Sequence, residues 1–209
     1  MAADSTGELW SVSFNRLYRL DGATGVSTFI GNLGNVGLVN SLVFGPDGTL
    51  YAASDRLFTI NTTTGLATAV GSIGFRSGGD LAFVNGELFM ASTLGQLVRV
   101  NTATGAGTLV GSIGVSNLFG LAGTGTGSLL GAAGTSIYDI DLLSGSATLL
   151  LDYGGSGLSS AFGASVYVAP GNNFNVIPPG SADVPEPATA VSLIAGFGVL
   201  LAFANRRRP

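Results

Sequence analysis

The chain has 209 residues, a formal net charge of -4 and no His, Cys or Lys, so that all eight basic residues are Arg. Without His or Cys, Ser-His-Asp and Cys-His catalysis and ordinary zinc, haem and iron–sulfur sites are excluded, and without Lys so are Schiff bases and P-loops. The acidic balance also argues against nucleic-acid binding, which depends on clustered Lys and Arg.

Hydrophobic residues make up 46% of the chain, which is enough to bury a core, whereas charged residues make up only 10%. The length fits one domain, with or without a tail. Gly contributes 34 residues, and their placement distinguishes low complexity from regular turns.

Four segments align without gaps at a spacing of 40 residues, beginning at Leu17, Leu57, Leu97 and Ile137. Each contains an Asp or Asn followed four residues later by Gly; these pairs are Asp21 and Gly25, Asn61 and Gly65, Asn101 and Gly105, and Asp141 and Gly145. We interpret each segment as a β-hairpin, because Asp or Asn bonds the backbone ahead of it and Gly supplies a positive φ. A single carboxylate or amide per turn favours turn formation over metal binding.

Two further short apolar runs precede each of the segments that begin at Leu57, Leu97 and Ile137. The two runs of each pair are joined by residues typical of tight turns, at 45–48, 85–86 and 124–127. Four short strands per forty residues are typical of a propeller blade. We therefore predict an all-β fold, a partial or small β-propeller of about four four-stranded blades within residues 1–169. The predicted blades lie near 7–34, 41–74, 80–114 and 120–154, with extra strands over 158–169. A β-sandwich gives no reason for the gap-free register, and solenoid coils repeat at shorter spacing.

The start of the chain departs from this pattern. The first unit begins at Gly7 and lacks its innermost strand, and nothing in the first 30 residues resembles a secretory signal. We therefore expect the chain to be a piece of a longer propeller.

The C-terminal region changes in character. Residues 170–187 are Pro-rich and predict an extended linker, residues 188–204 contain no charge, and residues 205–209 form a basic tail. Seventeen residues at about 1.5 Å rise span about 25 Å, so we predict a single C-terminal transmembrane helix over 188–204. The Arg cluster after it predicts a cytoplasmic C-terminus and a domain outside. The alternative is a helix buried against the domain, for which a propeller offers no place.

The order of Pro185, Glu186 and Pro187, the apolar stretch and then Arg206, Arg207 and Arg208 resembles the PEP-CTERM sorting signal of bacterial exported proteins. The resemblance covers about the last 26 residues. It implies that an exosortase, a membrane-embedded cysteine transpeptidase-like enzyme, recognises Pro-Glu-Pro and processes the tail nearby. It also implies that 188–204 is the anchor, that the Arg cluster stops transfer, and that processing releases or re-attaches the protein at the cell surface. The family is associated with exopolysaccharide or biofilm matrix.

Few residues of the predicted domain carry chemistry. Arg76 and Asp80 lie where the third blade's innermost strand begins, near one mouth of the channel, and Asp80 is the one carboxylate on the predicted innermost strands. Channel enzymes gather several such groups, so we expect no catalytic residue, no metal and no cofactor. We interpret the domain as a non-enzymatic interaction module for exopolysaccharide or another surface protein. The alternative is a propeller hydrolase or lyase that acts on a sugar or lactone through channel carboxylates and a divalent metal.

Overall fold

The computed structural model describes residues 1–157, 159–161 and 163–164, and the backbone of two strands at 192–195 and 199–202. Residues 2–152 form four antiparallel sheets of four strands, in which each strand pairs with its neighbours in sequence. These sheets are the blades of a propeller arrangement, and the predicted all-β fold of about four four-stranded blades is confirmed.

Each blade runs from an innermost to an outermost strand in chain order. Blade 1 comprises β1 (Ala2–Ala3), β2 (Leu9–Ser13), β3 (Arg16–Leu20) and β4 (Ser27–Asn32), and blade 2 comprises β5 (Ser41–Phe44), β6 (Leu50–Ala53), β7 (Arg56–Ile60) and β8 (Ala67–Ser72). Blade 3 comprises β9 (Ser77–Val84), β10 (Glu87–Ser92), β11 (Gln96–Val100) and β12 (Gly107–Ser112). Blade 4 comprises β13 (Leu118–Gly123), β14 (Leu129–Ala133), β15 (Ser136–Ile140) and β16 (Ala147–Asp152).

The predicted turns between the two outer strands are confirmed. In blade 2, Oδ1 of Asn61 accepts hydrogen bonds from the backbone N–H groups of Thr63 and Thr64, at 2.9 Å each. Gly65 then adopts a φ of 78° and donates its N–H to the carbonyl of Asn61. The other three blades repeat this turn around Asp21, Asn101 and Asp141.

The blades pack through apolar clusters that repeat at three junctions. The largest fully buried side chains at these junctions are Leu17, Leu33 and Leu50 between blades 1 and 2, Leu57, Ile73, Leu81, Leu88 and Met90 between blades 2 and 3, and Phe89, Leu97, Ile113 and Leu121 between blades 3 and 4. Within the described part of the chain, no such cluster joins blade 4 to blade 1. Among the described residues, blade 1 and blade 4 each therefore keep one face that no other blade covers.

Glycines set the spacing between neighbouring blades. Gly31, Gly71 and Gly111 lie on the outermost strands, and a Cβ at each would collide with the carbonyl of Thr64, Thr104 or Ser144 in the next blade's turn. At these points the backbones of the two blades are in direct contact, and a side chain in place of glycine would hold them further apart.

The expectation about the start of the repeat domain was wrong, whereas the extra strands predicted over 158–169 stay a prediction. Blade 1 begins before Gly7 and has an innermost strand, since Ala2 and Ala3 of β1 pair with Trp10 and Leu9. Within the predicted extra strands over 158–169, the described residues form no strand, and Ala161 makes an isolated bridge to Gly134 of blade 4. The remainder of 158–169 lies outside the described residues.

The C-terminal region differs from its prediction. Strands β17 (Ser192–Ala195) and β18 (Val199–Ala202) pair with each other within the stretch predicted as a helix. The helix predicted over 188–204 is therefore not confirmed. The sequence pattern does not decide between the two structures, because a short apolar run fits a strand as well as a helix. The linker at 170–187 and the basic tail at 205–209 lie outside the described residues.

Candidate functional site

The innermost strands of all four blades line a central channel. Its cavity has a volume of about 130 Å³ and is bordered by β1, β5, β9 and β13, together with Met1 and Ala164. The residues along it are of apolar type or Gly, Phe44, Leu81 and Leu121 among them, so the polar part of its surface comes from backbone groups. The channel as described is therefore narrow and presents no charged side chain to a ligand.

Asp80 is the carboxylate that the sequence placed at this channel, and the structure buries it to 5% exposure. Its Oδ2 accepts hydrogen bonds from the backbone N–H groups of Leu121, at 3.1 Å, and of Ala164, at 3.2 Å. Its Oδ1 accepts the N–H of Leu81 at 3.0 Å. Both carboxylate oxygens are thus occupied by backbone donors from blade 3, from blade 4 and from the segment after blade 4.

Burial raises the pKa of Asp80 to about 7, because a desolvated carboxylate is unfavourable. The amino group of Met1 and the three backbone N–H donors act in the opposite direction, since they stabilise the charged form. The group therefore titrates near neutral pH. A shift of this size occurs at functional sites and in structural networks alike.

Arg76, the other residue that the sequence placed near the channel, makes no hydrogen bond or ion pair with Asp80 within the described part of the chain. Its side chain is exposed, and its carbonyl accepts the N–H of Thr93. No group of three or more Asp, Glu, His or Cys residues among the described positions could hold a metal ion. Asp80 is therefore brought together with backbone amides and not with other acidic side chains.

A larger depression lies on the side of the arrangement where the first and second strands of each blade are joined. We call it the turn-side groove; its volume is about 790 Å³, and it is bordered by residues 3–6, 44–48, 62, 83 and 85–86 together with Trp10. The groove crosses blades 1, 2 and 3. Sequence reasoning missed it because its parts come from separate turns, each of which has a local explanation.

Two acidic side chains stand at the turn-side groove. Asp4 accepts the N–H groups of Thr6 and Glu8, the hydroxyl of Thr6 and the indole N–H of Trp10, the last at 3.1 Å. Burial opposes the ionisation of Asp4, but these hydrogen bonds outweigh it and lower its pKa. The N–H and the hydroxyl of Thr49 lower the pKa of Asp47 in the same way. Both groups are anionic at neutral pH.

Aromatic rings form the wall beneath these carboxylates. The rings of Trp10 and Phe44 meet edge to face, with centroids 6.1 Å apart, and Phe83 packs against Tyr51 at 5.6 Å. Phe44 and Phe83 are half-buried and border the groove. The groove thus combines hydrogen-bond acceptors with apolar ring surface, a combination that suits a hydroxyl-bearing ligand.

The residues predicted to form the sorting signal, Pro185, Glu186, Pro187, Arg206, Arg207 and Arg208, lie outside the described residues. Within the described part of the chain, no helix is long and apolar enough to cross a bilayer.

Comparisons with known proteins bear on the two parts of the chain separately. No curated protein matches the chain in sequence. Solved structures of similar fold include hydrazine synthase of Kuenenia stuttgartiensis, with 13% identity and a TM-score of 0.55 over 71% of this chain and 48% of that chain. The PQQ-bound aldose sugar dehydrogenase of Streptomyces coelicolor has 19% identity and a TM-score of 0.53, over 78% of this chain and 70% of that one. Virginiamycin B lyase of Staphylococcus aureus has 15% identity and a TM-score of 0.54, over 99% and 69%.

At these identities the similarity establishes the fold alone, and this chain spans about half of the hydrazine synthase chain. Residues 183–208, in contrast, match the family described as the PEP-CTERM protein-sorting motif. The chain therefore combines a four-blade β-propeller arrangement with a PEP-CTERM protein-sorting motif at residues 183–208, and this motif indicates an exported protein that an exosortase sorts to the cell surface.

Proposed function

We propose that this protein is a surface or extracellular-matrix protein whose propeller is a binding module and not an enzyme. The observation that carries the proposal is the state of Asp80, the carboxylate at the channel. Its two oxygens accept three backbone N–H groups at 3.0 to 3.2 Å, so it stabilises the fold and has little capacity left for a substrate.

The turn-side groove is the proposed binding surface, and its proposed ligand is an exopolysaccharide. Asp47 would accept hydroxyl hydrogen bonds, and the half-buried ring of Phe83 would cover the apolar face of a sugar. Titration calorimetry of the full chain with polysaccharide from its native host tests this. We expect Asp47→Ala to weaken binding about tenfold, roughly the loss of one hydrogen bond to a charged group.

Asp55→Ala provides the matched control, because Asp55 is an exposed acidic residue that does not border the groove. Equal affinity of both variants and the wild type would overturn the groove assignment. If the chain binds a surface protein and not the polysaccharide, and Asp47→Ala loses that binding, the groove remains the binding site and the ligand is a protein.

The sorting tail leads to a second part of the proposal. An exosortase would recognise residues 185–187, the apolar segment 188–204 would hold the protein in the membrane beforehand, and Arg206–Arg208 would remain cytoplasmic. Mass spectrometry of the protein from its native host tests the processing step. We expect the wild type to lack its C-terminal residues and Glu186→Ala to keep them, with Glu87→Ala as the control. A wild-type surface protein intact through Pro209 would contradict processing.

Membrane attachment needs its own measurement. Phe197→Arg introduces a charge near the centre of the apolar segment 188–204, where a charge costs about 3 kcal/mol. We expect this variant to move from the membrane fraction to the aqueous fraction. Leu143→Arg is the control, because Leu143 lies on the propeller with 91% of its surface exposed. Equal distribution of the two variants would contradict anchoring by this segment.

The competing proposal is a hydrolase or lyase that acts on a sugar or lactone. It draws support from solved structures of similar fold that are named as a sugar dehydrogenase and a lyase. A lactone-hydrolysis assay with added Ca²⁺ or Mn²⁺ separates the two proposals. Metal-dependent turnover that Asp80→Asn abolishes would favour the enzyme and overturn the binding module.

A further inference from the structure

The segment that follows blade 4 returns to the centre of the arrangement. We call residues 159–164 the tail root; its described members are 159–161 and 163–164. The N–H of Ala161 donates to the carbonyl of Gly134 at 2.8 Å, and the hydroxyl of Tyr153 donates to the same carbonyl at 3.0 Å. Ala161 and Ala164 are buried in a cluster with Ala122 and Ala132 of blade 4. The tail root is thus packed as part of the domain.

Asp80 joins this segment to two different blades through one oxygen atom. Its Oδ2 accepts the N–H of Leu121 in β13 and the N–H of Ala164 in the tail root. Ala164 is 84 residues away from Asp80 in sequence. Without the carboxylate, the buried N–H groups of Leu121 and Ala164 would have no acceptor there, which is unfavourable in free energy. Removal of the Asp80 side chain should therefore free the segment that it holds.

Gly120 supplies an independent second feature at the same place. A Cβ at Gly120 would lie 2.8 Å from the backbone N of Ala164 and 2.8 Å from the carbonyl carbon of Gly163. Both obstacles are backbone atoms, which cannot rotate out of the way. The absence of a side chain in β13 therefore gives the tail root room to pass close to the channel.

We propose that Asp80 is a positioning residue that clasps the tail root against the channel, and thereby fixes the length of tether between the propeller and the sorting tail. Release of the clasp would free residues 153–164, which can add roughly 40 Å of reach when extended. The clasp concerns the attachment of the tail to the domain and holds whether or not the tail is processed.

The chemistry of Asp80 makes the clasp sensitive to pH. Burial raises the pKa of Asp80 to about 7, and opening would hydrate the group and return its pKa towards the ordinary value of 3.8. The closed state therefore binds a proton more tightly than the open state does, so closure is favoured below pH 4 and progressively lost as pH rises through about 7.

The neighbouring charges do not change this direction. The ammonium group of Met1 faces Asp80 and lowers its pKa, but burial outweighs it. Strands β5, β6 and β13 and the described tail root contain no charged residue. Strand β10 carries only Glu87, which is exposed and paired with Arg99 of β11 at 3.0 Å, and Arg76 before β9 is exposed.

Hydrogen exchange of the full chain, followed by mass spectrometry of peptides that cover the tail root, tests the clasp. Rates are corrected for intrinsic exchange at pH 5.5, 7 and 8.5. We expect the wild type to lose protection in this segment as pH rises, and Asp80→Ala to exchange at least tenfold faster at pH 5.5. Asp80→Asn keeps an oxygen acceptor without a titrating group, so it should stay protected and show no pH dependence.

Two further variants complete the test. Gly120→Ala displaces the tail root while the side chain of Asp80 is kept, and should also accelerate exchange at least tenfold; if Asp80→Ala fails to fold, this variant tests the packing of the tail root and the pH profile of Asp80→Asn tests the role of Asp80. Asp139→Asn removes an exposed carboxylate of β15 and should match the wild type. Unchanged tail-root protection in Gly120→Ala and Asp80→Ala, or a wild-type pH profile in Asp80→Asn, would overturn the proposal.

Discussion

Replacement of Gly71 by Ala should separate blades 2 and 3. Gly71 lies on β8, and a Cβ there would collide with the carbonyl oxygen of Thr104 and lie 3.1 Å from its carbonyl carbon. The same contact appears from the other side, since a Cβ at Gly105 would lie 2.7 Å from the N of Gly71. Neither backbone can yield without a shift of one blade relative to the other.

The expected cost follows from the packing at this junction. Overpacking a filled site costs about 1 to 3 kcal/mol, and a gap of 0.5 to 1 Å forfeits roughly a quarter to a half of each dispersion contact. The cluster that the shift would open contains nine buried side chains, Met90 and Leu57 among them. Because the obstacle is backbone, we expect the upper end of this range, about 3 kcal/mol, or a fall in Tm of roughly 6 to 12 °C.

Thermal and urea unfolding, followed by circular dichroism and by the fluorescence of Trp10, measure this effect. Gly22→Ala is the matched control, because the nearest atom to its Cβ is Cδ1 of Leu9 at an ordinary 3.7 Å. The control should stay within about 0.5 kcal/mol of the wild type or be slightly stabilised. A Gly71→Ala protein as stable as Gly22→Ala would refute the backbone contact and the blade spacing derived from it.

The remaining predictions concern the ends of the repeat and its turns. Leu57→Ala should lower the free energy of unfolding by about 2 to 5 kcal/mol, because Leu57 is fully buried between two blades. Ile137→Ala, at the same register of blade 4, should lower it clearly less, because Ile137 is half-buried on an uncovered face. Urea unfolding of both variants checks this, and equal losses would contradict the uncovered face. Hydrogen bonds from the N–H and hydroxyl of Ser144 and from the N–H of Leu143 lower the pKa of Asp141. The contribution of Asp141 to stability is therefore present above pH 4 and lost as pH falls through this lowered pKa. Asp141→Asn should therefore fold like the wild type, since Asn101 makes the same turn, and should lose less stability than the wild type in melts between pH 5 and pH 2.

The sequence predicts those parts of the fold that repeat. An Asn or Asp four residues before Gly is sufficient to locate each outer turn, because both residues act within the turn itself. The two-residue strand β1 escapes this reasoning, since Ala2 and Ala3 carry no alternating pattern and pair only because β2 lies beside them. The strands β17 and β18 escape it for another reason, because apolarity alone does not distinguish a helix from a strand over so few residues.

The candidate site was predictable only in part. The sequence places Asp80 on an innermost strand near the channel, and the structure buries it within β9, where it is bonded to Leu121 and Ala164, two residues that border the channel. Its partners are not readable from the chain, because Leu121 and Ala164 contribute backbone N–H groups, which carry no mark of residue type. The turn-side groove escaped for a related reason, since Asp4 and Asp47 already satisfy a local turn and only the packing of blades places them along one depression.

The outermost strand of blade 4 lacks the glycine that the other three blades carry where a neighbour is received. Leu17, Leu57 and Leu97 pair across their outermost strands with Gly31, Gly71 and Gly111, but Ile137 of blade 4 pairs with Leu151. The side chain of Leu151 is 44% exposed and occupies the space into which a following blade's turn would fit at each of the three junctions. A blade could not dock on blade 4 with the spacing of the others unless Leu151 moved aside. At this end of the repeat the tail root makes the described contacts instead, and Asp80 holds it from the inner side, where the domain and its sorting tail meet.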